Sequence, residues 1–117
     1  MSTTNELTDP EDRKLVALAR STRARTGALE GACVRDADGR TYAGATVELP
    51  TLSLTAVQVA VAMAVASGAR GLEAVVVLGD AAAVNEMDLS VVRDFSGAGV
   101  AVHLAAPDGT IIGSVAS

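Results

Sequence analysis

Apolar and polar positions divide this chain into segments with different repeats. Leu15, Leu18, Ala19 and Thr22 recur at three- and four-residue spacing, which predicts a helix over about residues 10–26. Thr8 or Asp9 offers its N-cap, Pro10 fits the first helical position, and Gly27 can close it. Glu11 and Asp12 at the start and Arg20, Arg23 and Arg25 towards the end match the helix dipole. Residues 30–34 and 41–47 read as a hairpin around Asp38-Gly39, with Gly31 and Gly44 marking bends or close backbone approaches. The longest apolar run, residues 52–68, has Ser53, Thr55 and Gln58 as its polar residues up to Ala66. A helix apolar all round is buried by its own domain or by a neighbouring subunit. The run is too long for a buried strand of about 8 residues. It is also too short and Ala-rich for a membrane span of roughly 20. It predicts a central helix after the break at Pro50, capped by Thr51 or Ser53.

Residues 72–78 (LEAVVVL) form a Val-rich run suited to a strand covered on both faces. Gly79-Asp80 ends it, residues 81–86 read as a loop, and Asp88 is expected to cap a third helix running to about Phe95. Residues 100–105 read as a strand, Pro107-Asp108-Gly109 as a turn, and residues 110–115 as a last strand or helix. The order predicts an α/β three-layer sandwich with a mixed sheet. Residues 1–9 are expected to form a tail and residues 10–117 a single domain.

Composition narrows the picture. Half the residues are hydrophobic but only 2% aromatic, so the core must be built from Ala, Val and Leu. The net charge of −5 argues against a polyanion binder. Arg13, Lys14, Arg20, Arg23 and Arg25 are five of the nine basic residues, but no aromatics interleave with them, so they read as a solvated helix face. Cys33 is the single cysteine, which rules out an intrachain disulfide. The polar, acidic start predicts no secretory signal and a cytoplasmic location.

Several pieces together are similar to the cytidine deaminase family. They are Gly31-Ala32, Asp38-Gly39-Arg40-Thr41-Tyr42-Ala43-Gly44, Thr46-Val47-Glu48, residues 60–68 and residues 75–80, an ordered set within about residues 11–112. The resemblance implies that family's fold. It also implies a zinc site in which a Cys- or His-Ala-Glu triplet opens the central helix and a Pro-Cys-x-x-Cys opens the next. Three protein ligands leave the metal's fourth position to a water, and the glutamate carries protons to and from the base.

None of that machinery is present. Aligned on the helix alanines and Gly68, the triplet falls on Thr55-Ala56-Val57; anchored on Glu48, it falls on Val57-Gln58-Val59; an intermediate register puts Gln58 in the glutamate's place. Asn85 and Asp88 fall where the cysteine pair would sit, and Cys33 and His103 lie on separate strands. No zinc, no other cofactor and no catalytic residue are therefore expected. The family's Asn-x-Glu for ribose hydroxyls reads Thr46-Val47-Glu48, leaving Glu48 and Thr46 as the candidate substrate-binding residues, while the family's ligand-side phenylalanine corresponds to about Ala28. The expected function is a non-catalytic, homo-oligomeric relative (dimer or tetramer) with a small nucleoside-like ligand, no membrane association and no nucleic acid. The alternatives are an active deaminase with a rebuilt site and an interaction module using the basic first helix.

Overall fold

The structure, a computed structural model, describes residues 7–117. Most of the expected tail, residues 1–6, lies outside the described residues. Leu7 packs against the core, and Asp9 caps helix α1 (Pro10–Thr26) by accepting from Glu11 N at 2.8 Å. Gly27, at φ 67°, closes the helix in the left-handed conformation that costs glycine nothing. Strands β1 (Gly31–Asp36) and β2 (Thr41–Ala45) follow as an antiparallel hairpin turning at Gly39. A separate two-stranded ribbon, β3 (Val47–Leu49) and β4 (Leu52–Leu54), leads into α2 (Ala56–Ala66). The chain continues through β5 (Leu72–Leu78), α3 (Glu86–Ser96), β6 (Ala101–Ala105) and β7 (Ile111–Ala116).

The main sheet has the order β2-β1-β5-β6-β7, mixed because β5 and β6 run parallel while the other pairs are antiparallel. Its two faces make two cores. Leu15 and Ala19 of α1 pack on Cys33, Val76 and Leu78, whereas Val57, Ala60 and Val61 of α2 pack with Val92 of α3 on Val34, Val75 and Val77. This is the expected three-layer α/β sandwich. Fully burying each such valine is worth about 1.5–3 kcal/mol, and β5, with neighbours on both sides and helices on both faces, is the centre of it. Two glycines set the spacing of the layers. A Cβ on Gly31 would lie 2.2 Å from Ala19 O, and one on Gly44 2.8 Å from Ala60 N, so α1 and α2 lie directly on the sheet backbone.

Three local expectations need correction. Residues 52–54 are strand β4 and not the first turn of the central helix, because Leu52 and Leu54 alternate around Ser53 and pair with β3. The cap of α2 is consequently Thr55, in a reciprocal capping box with Gln58, and neither Thr51 nor Ser53. Asn85, not Asp88, caps α3, accepting from Met87 N at 2.8 Å. The all-apolar helix is also only half covered by its own chain: Met63 and Val65 remain 42% and 51% exposed. Among the described residues no helix is long and apolar enough to cross a membrane.

Candidate functional site

A cleft of about 510 Å³ opens at the end of the sheet where α2 and α3 begin. Glu30, Thr46, Glu48, Thr55, Gln58 and Asp80 supply its polar lining, and Leu29, Leu54 and Met87 its apolar walls. The topology gathers these residues from distant parts of the chain. Antiparallel pairing of Gly31 with Leu78 places Glu30, just before β1, beside Gly79-Asp80, just after β5. Thr46 joins the next strand to this point: its hydroxyl accepts from Glu30 N at 3.1 Å, and its own N–H donates to Glu30 O at 3.2 Å. The β3–β4 ribbon pairs Glu48 with Ser53 and carries both into the wall.

The floor is made by two helix N-termini. Gln58 N donates to Thr55 Oγ1 at 3.1 Å, and Thr55 N donates to Gln58 Oε1 at 2.8 Å. With its oxygen so engaged, the Thr55 hydroxyl directs its proton to Asp88 Oδ1, 2.6 Å away in the first turn of α3. Asp88 is only 2% exposed. Burial pushes its carboxyl above the usual carboxylate range, against the opposing pull of the Thr55 bond. Glu30 is also raised, first by burial and then by the charge of Asp88, while Arg23 acts the other way. Arg23 donates to Leu29 O at 2.9 Å and lies 3.8 Å from Asp80, so one guanidinium stands near both Asp80 and Glu30.

Both residues expected to bind substrate, Glu48 and Thr46, line this cleft. Glu48 is exposed, while the Thr46 hydroxyl is committed to the Glu30 backbone. Gln58 lines the cleft too, but Val57 is fully buried in the core between α2 and the sheet. Cys33 and His103 lie on the other face of the sheet. Burial pushes the Cys33 thiol up to about 11, which leaves it an inert thiol. His103 Nδ1 sits 2.6 Å from Ser114 Oγ, and its Nε2 lies 3.3 Å from Asp12 Oδ2. Glu30 and Asp80 were not anticipated as site residues. The signal was the strand pairing that makes them neighbours, which is not a local feature of either segment.

A mixed five-stranded sheet between one helix and two, with a cleft at the start of α2 and α3, defines a class. The chain belongs to the cytidine deaminase-like family, whose model matches residues 8–109. Solved structures agree in fold. Cytidine deaminase from Burkholderia pseudomallei superposes with a TM-score of 0.76 at 22% identity, covering 87% of this chain and 89% of that one. Cytidine deaminase from Mycobacterium leprae gives 0.70 at 21%, covering 92% and 94%, and that from Mycobacterium tuberculosis 0.67 at 22%, covering 82% and 85%. No curated protein matches the chain.

The zinc that the family's signature implies does not fit the side chains at this floor. Zinc takes thiolate, imidazole or carboxylate donors. Thr55 offers a neutral hydroxyl that is donating to Asp88, and Asn85 turns its carbonyl oxygen onto its own helix. Among the described residues, no three His, Cys, Asp or Glu side chains converge on a point that could hold a metal.

Proposed function

We propose that this chain is a non-catalytic, cytidine deaminase-like binding protein that self-associates and receives a small, uncharged, nucleoside-sized ligand in the cleft above Thr55. The observation that carries the reading is the Thr55–Asp88 bond, which leaves the floor with a hydroxyl spent on a carboxylate buried behind it, where the family's chemistry needs an activated water. A volume of about 510 Å³ suits a ligand of that size. The acidic lining from Glu30, Glu48 and Asp80 disfavours a phosphorylated one. Glu48, exposed at the mouth, is the residue placed to accept ligand hydroxyls; Thr46 acts by holding Glu30 in position.

Self-association is supported by apolar side chains left open on and beside α2: Leu49, Leu52, Met63 and Val65 are 58%, 48%, 42% and 51% exposed. The test is a nucleoside thermal-shift and calorimetry screen, run beside light scattering at micromolar concentration. A stable monomer, or a protein that no nucleoside shifts, overturns the corresponding half of the proposal.

One observation favours a second reading, a deaminase with a rebuilt site. Glu30 is a cleft carboxyl held above its ordinary pKa, as a general acid–base would be. Cytidine-to-uridine turnover that survives repurification and is lost in Glu30→Gln would establish it.

A further inference from the structure

A floor that cannot hold zinc could have been left loose, yet Thr55 and Asp88, 33 residues apart in the chain, meet across two helices. The register that puts the lost triplet on Thr55-Ala56-Val57, with the lost cysteine pair on Asn85 and Asp88, requires these two positions to meet. We infer that the Thr55–Asp88 hydrogen bond has taken over the work of a metal as the tie between α2 and α3, so that this junction is metal-independent.

Distance, polarity and proton count agree. Two oxygens bound tetrahedrally to one zinc, each at about 2.1 Å, stand roughly 3.4 Å apart. Thr55 Oγ1 and Asp88 Oδ1 are 2.6 Å apart, the span of a hydroxyl proton given to a carboxylate. Thr55 is the N-cap of α2, and Asp88 is the third residue of α3, with its backbone N–H returned to Asn85 O at 3.0 Å. Both partners therefore sit at the N-terminal ends of their helices, where the dipoles favour negative charge, although burial still outweighs this at Asp88 and leaves the Thr55 hydroxyl as its one side-chain donor. The neighbouring Asn85 serves its own helix, so the tie is a pair and not a triad. None of this depends on which ligand the cleft takes.

The pair predicts a sign reversal that a merely local role would not produce. A buried carboxylate that loses its donor is left with its desolvation penalty, whereas removing both partners relieves it. Thr55→Ser, which keeps cap and donor, should melt within a few degrees of wild type. Thr55→Val should melt roughly 5–15 °C lower. Asp88→Leu should lower the melting temperature of the wild type but raise that of Thr55→Val. If Thr55→Val cannot be purified, recovery of folded protein in the double variant reports the same coupling. Asp88→Asn, which keeps an acceptor for Thr55, should melt at or above wild type at pH 8. Added zinc and added chelator should each leave the wild-type melt unchanged, and the purified chain should carry no stoichiometric transition metal. An equal effect of Asp88→Leu in both backgrounds overturns the inference. So does stoichiometric zinc whose removal lowers the melt, or an Asp88→Asn variant as unstable as Thr55→Val.

Discussion

Two aspartates are buried among the described residues, and their surroundings differ. Asp36, at the β1–β2 turn, accepts from Asp38 N and Arg40 N, both at 2.9 Å, and from Tyr42 Oη at 2.9 Å. Burial alone would push its carboxyl up, but the Tyr42 hydroxyl and the two backbone N–H groups outweigh that and hold it below the usual range. Asp88 has one side-chain partner, Thr55, and burial wins there. A carboxylate that spends its lone pairs on its own turn is a structural device. One left with a single neutral donor, behind the cleft and between two helix N-termini, keeps an uncompensated desolvation cost, so its worth to the fold depends on that one donor.

The largest expected effect comes from adding a third carboxylate with no partner at all. Val57 is fully buried against the sheet, and in the Thr55-Ala56-Val57 register it stands in the place of the family's glutamate. Val57→Glu should cost about 3–5 kcal/mol, read as a shifted urea midpoint. It should also restore no deamination. An unshifted midpoint would mean that residue 57 reaches the cleft, and the contrast between core and floor would fail.

Next comes the satisfied carboxylate itself. Asp36→Ala strips three donors of their acceptor and should lower the melting temperature by roughly 10 °C. Asp36→Asn, which keeps one acceptor oxygen, should lose less. If neither moves the melt, the turn is held by its backbone bonds, Asp36 N to Arg40 O and Gly39 N to Asp36 O, at 2.8 and 3.1 Å.

The two aspartates should also respond to pH with opposite sign. The folded pKa of Asp36 is lowered, so its stabilisation is present above the unfolded value of about 3.9 and is lost as pH falls through the folded one. The folded pKa of Asp88 is raised, so the folded chain favours its proton; that contribution is present at acid pH and is lost as pH rises through the folded value. Over about pH 2–5 the melt of Asp36→Asn should fall progressively below wild type and hold there at higher pH. That of Asp88→Asn should instead rise above wild type by a few degrees as pH climbs past the unfolded carboxylate value. Parallel curves would erase the distinction.

How far the sequence reached follows the same physics. The strand Leu72–Leu78 and the helix Pro10–Thr26 were legible because each is specified within itself, by a run of buried valines and by Asp9, Pro10 and Gly27. The β3–β4 ribbon was not, because three-residue strands carry almost no periodicity and Leu-Ser-Leu runs straight into an apolar helix. Asn85 and Asp88 are both good caps, and the path of the preceding loop decides between them. Glu48 and Thr46 were reached through family resemblance, and both line the cleft. Glu30 and Asp80 are joined to it only by the pairing of β1 with β5, and the Thr55–Asp88 bond only by the packing of α2 beside α3.

The smallest effect on stability should come from Glu48, which makes it the clean probe of ligand contact at the mouth of the cleft. Glu48 is exposed, with no side-chain hydrogen bond or ion pair among the described residues, so Glu48→Gln should change stability by no more than about 0.5 kcal/mol. Its neighbour Thr46 differs. Removing that hydroxyl in Thr46→Val leaves Glu30 N without its partner at 3.1 Å, so stability and ligand binding should fall together. If the cleft binds a nucleoside through Glu48, calorimetry should show Glu48→Gln weakening it about tenfold, the equivalent of one charged hydrogen bond. Unchanged affinity in Glu48→Gln together with loss in Asp88→Asn would move the determinant of binding inward, from the exposed carboxylate at the mouth to the Thr55–Asp88 pair behind the floor.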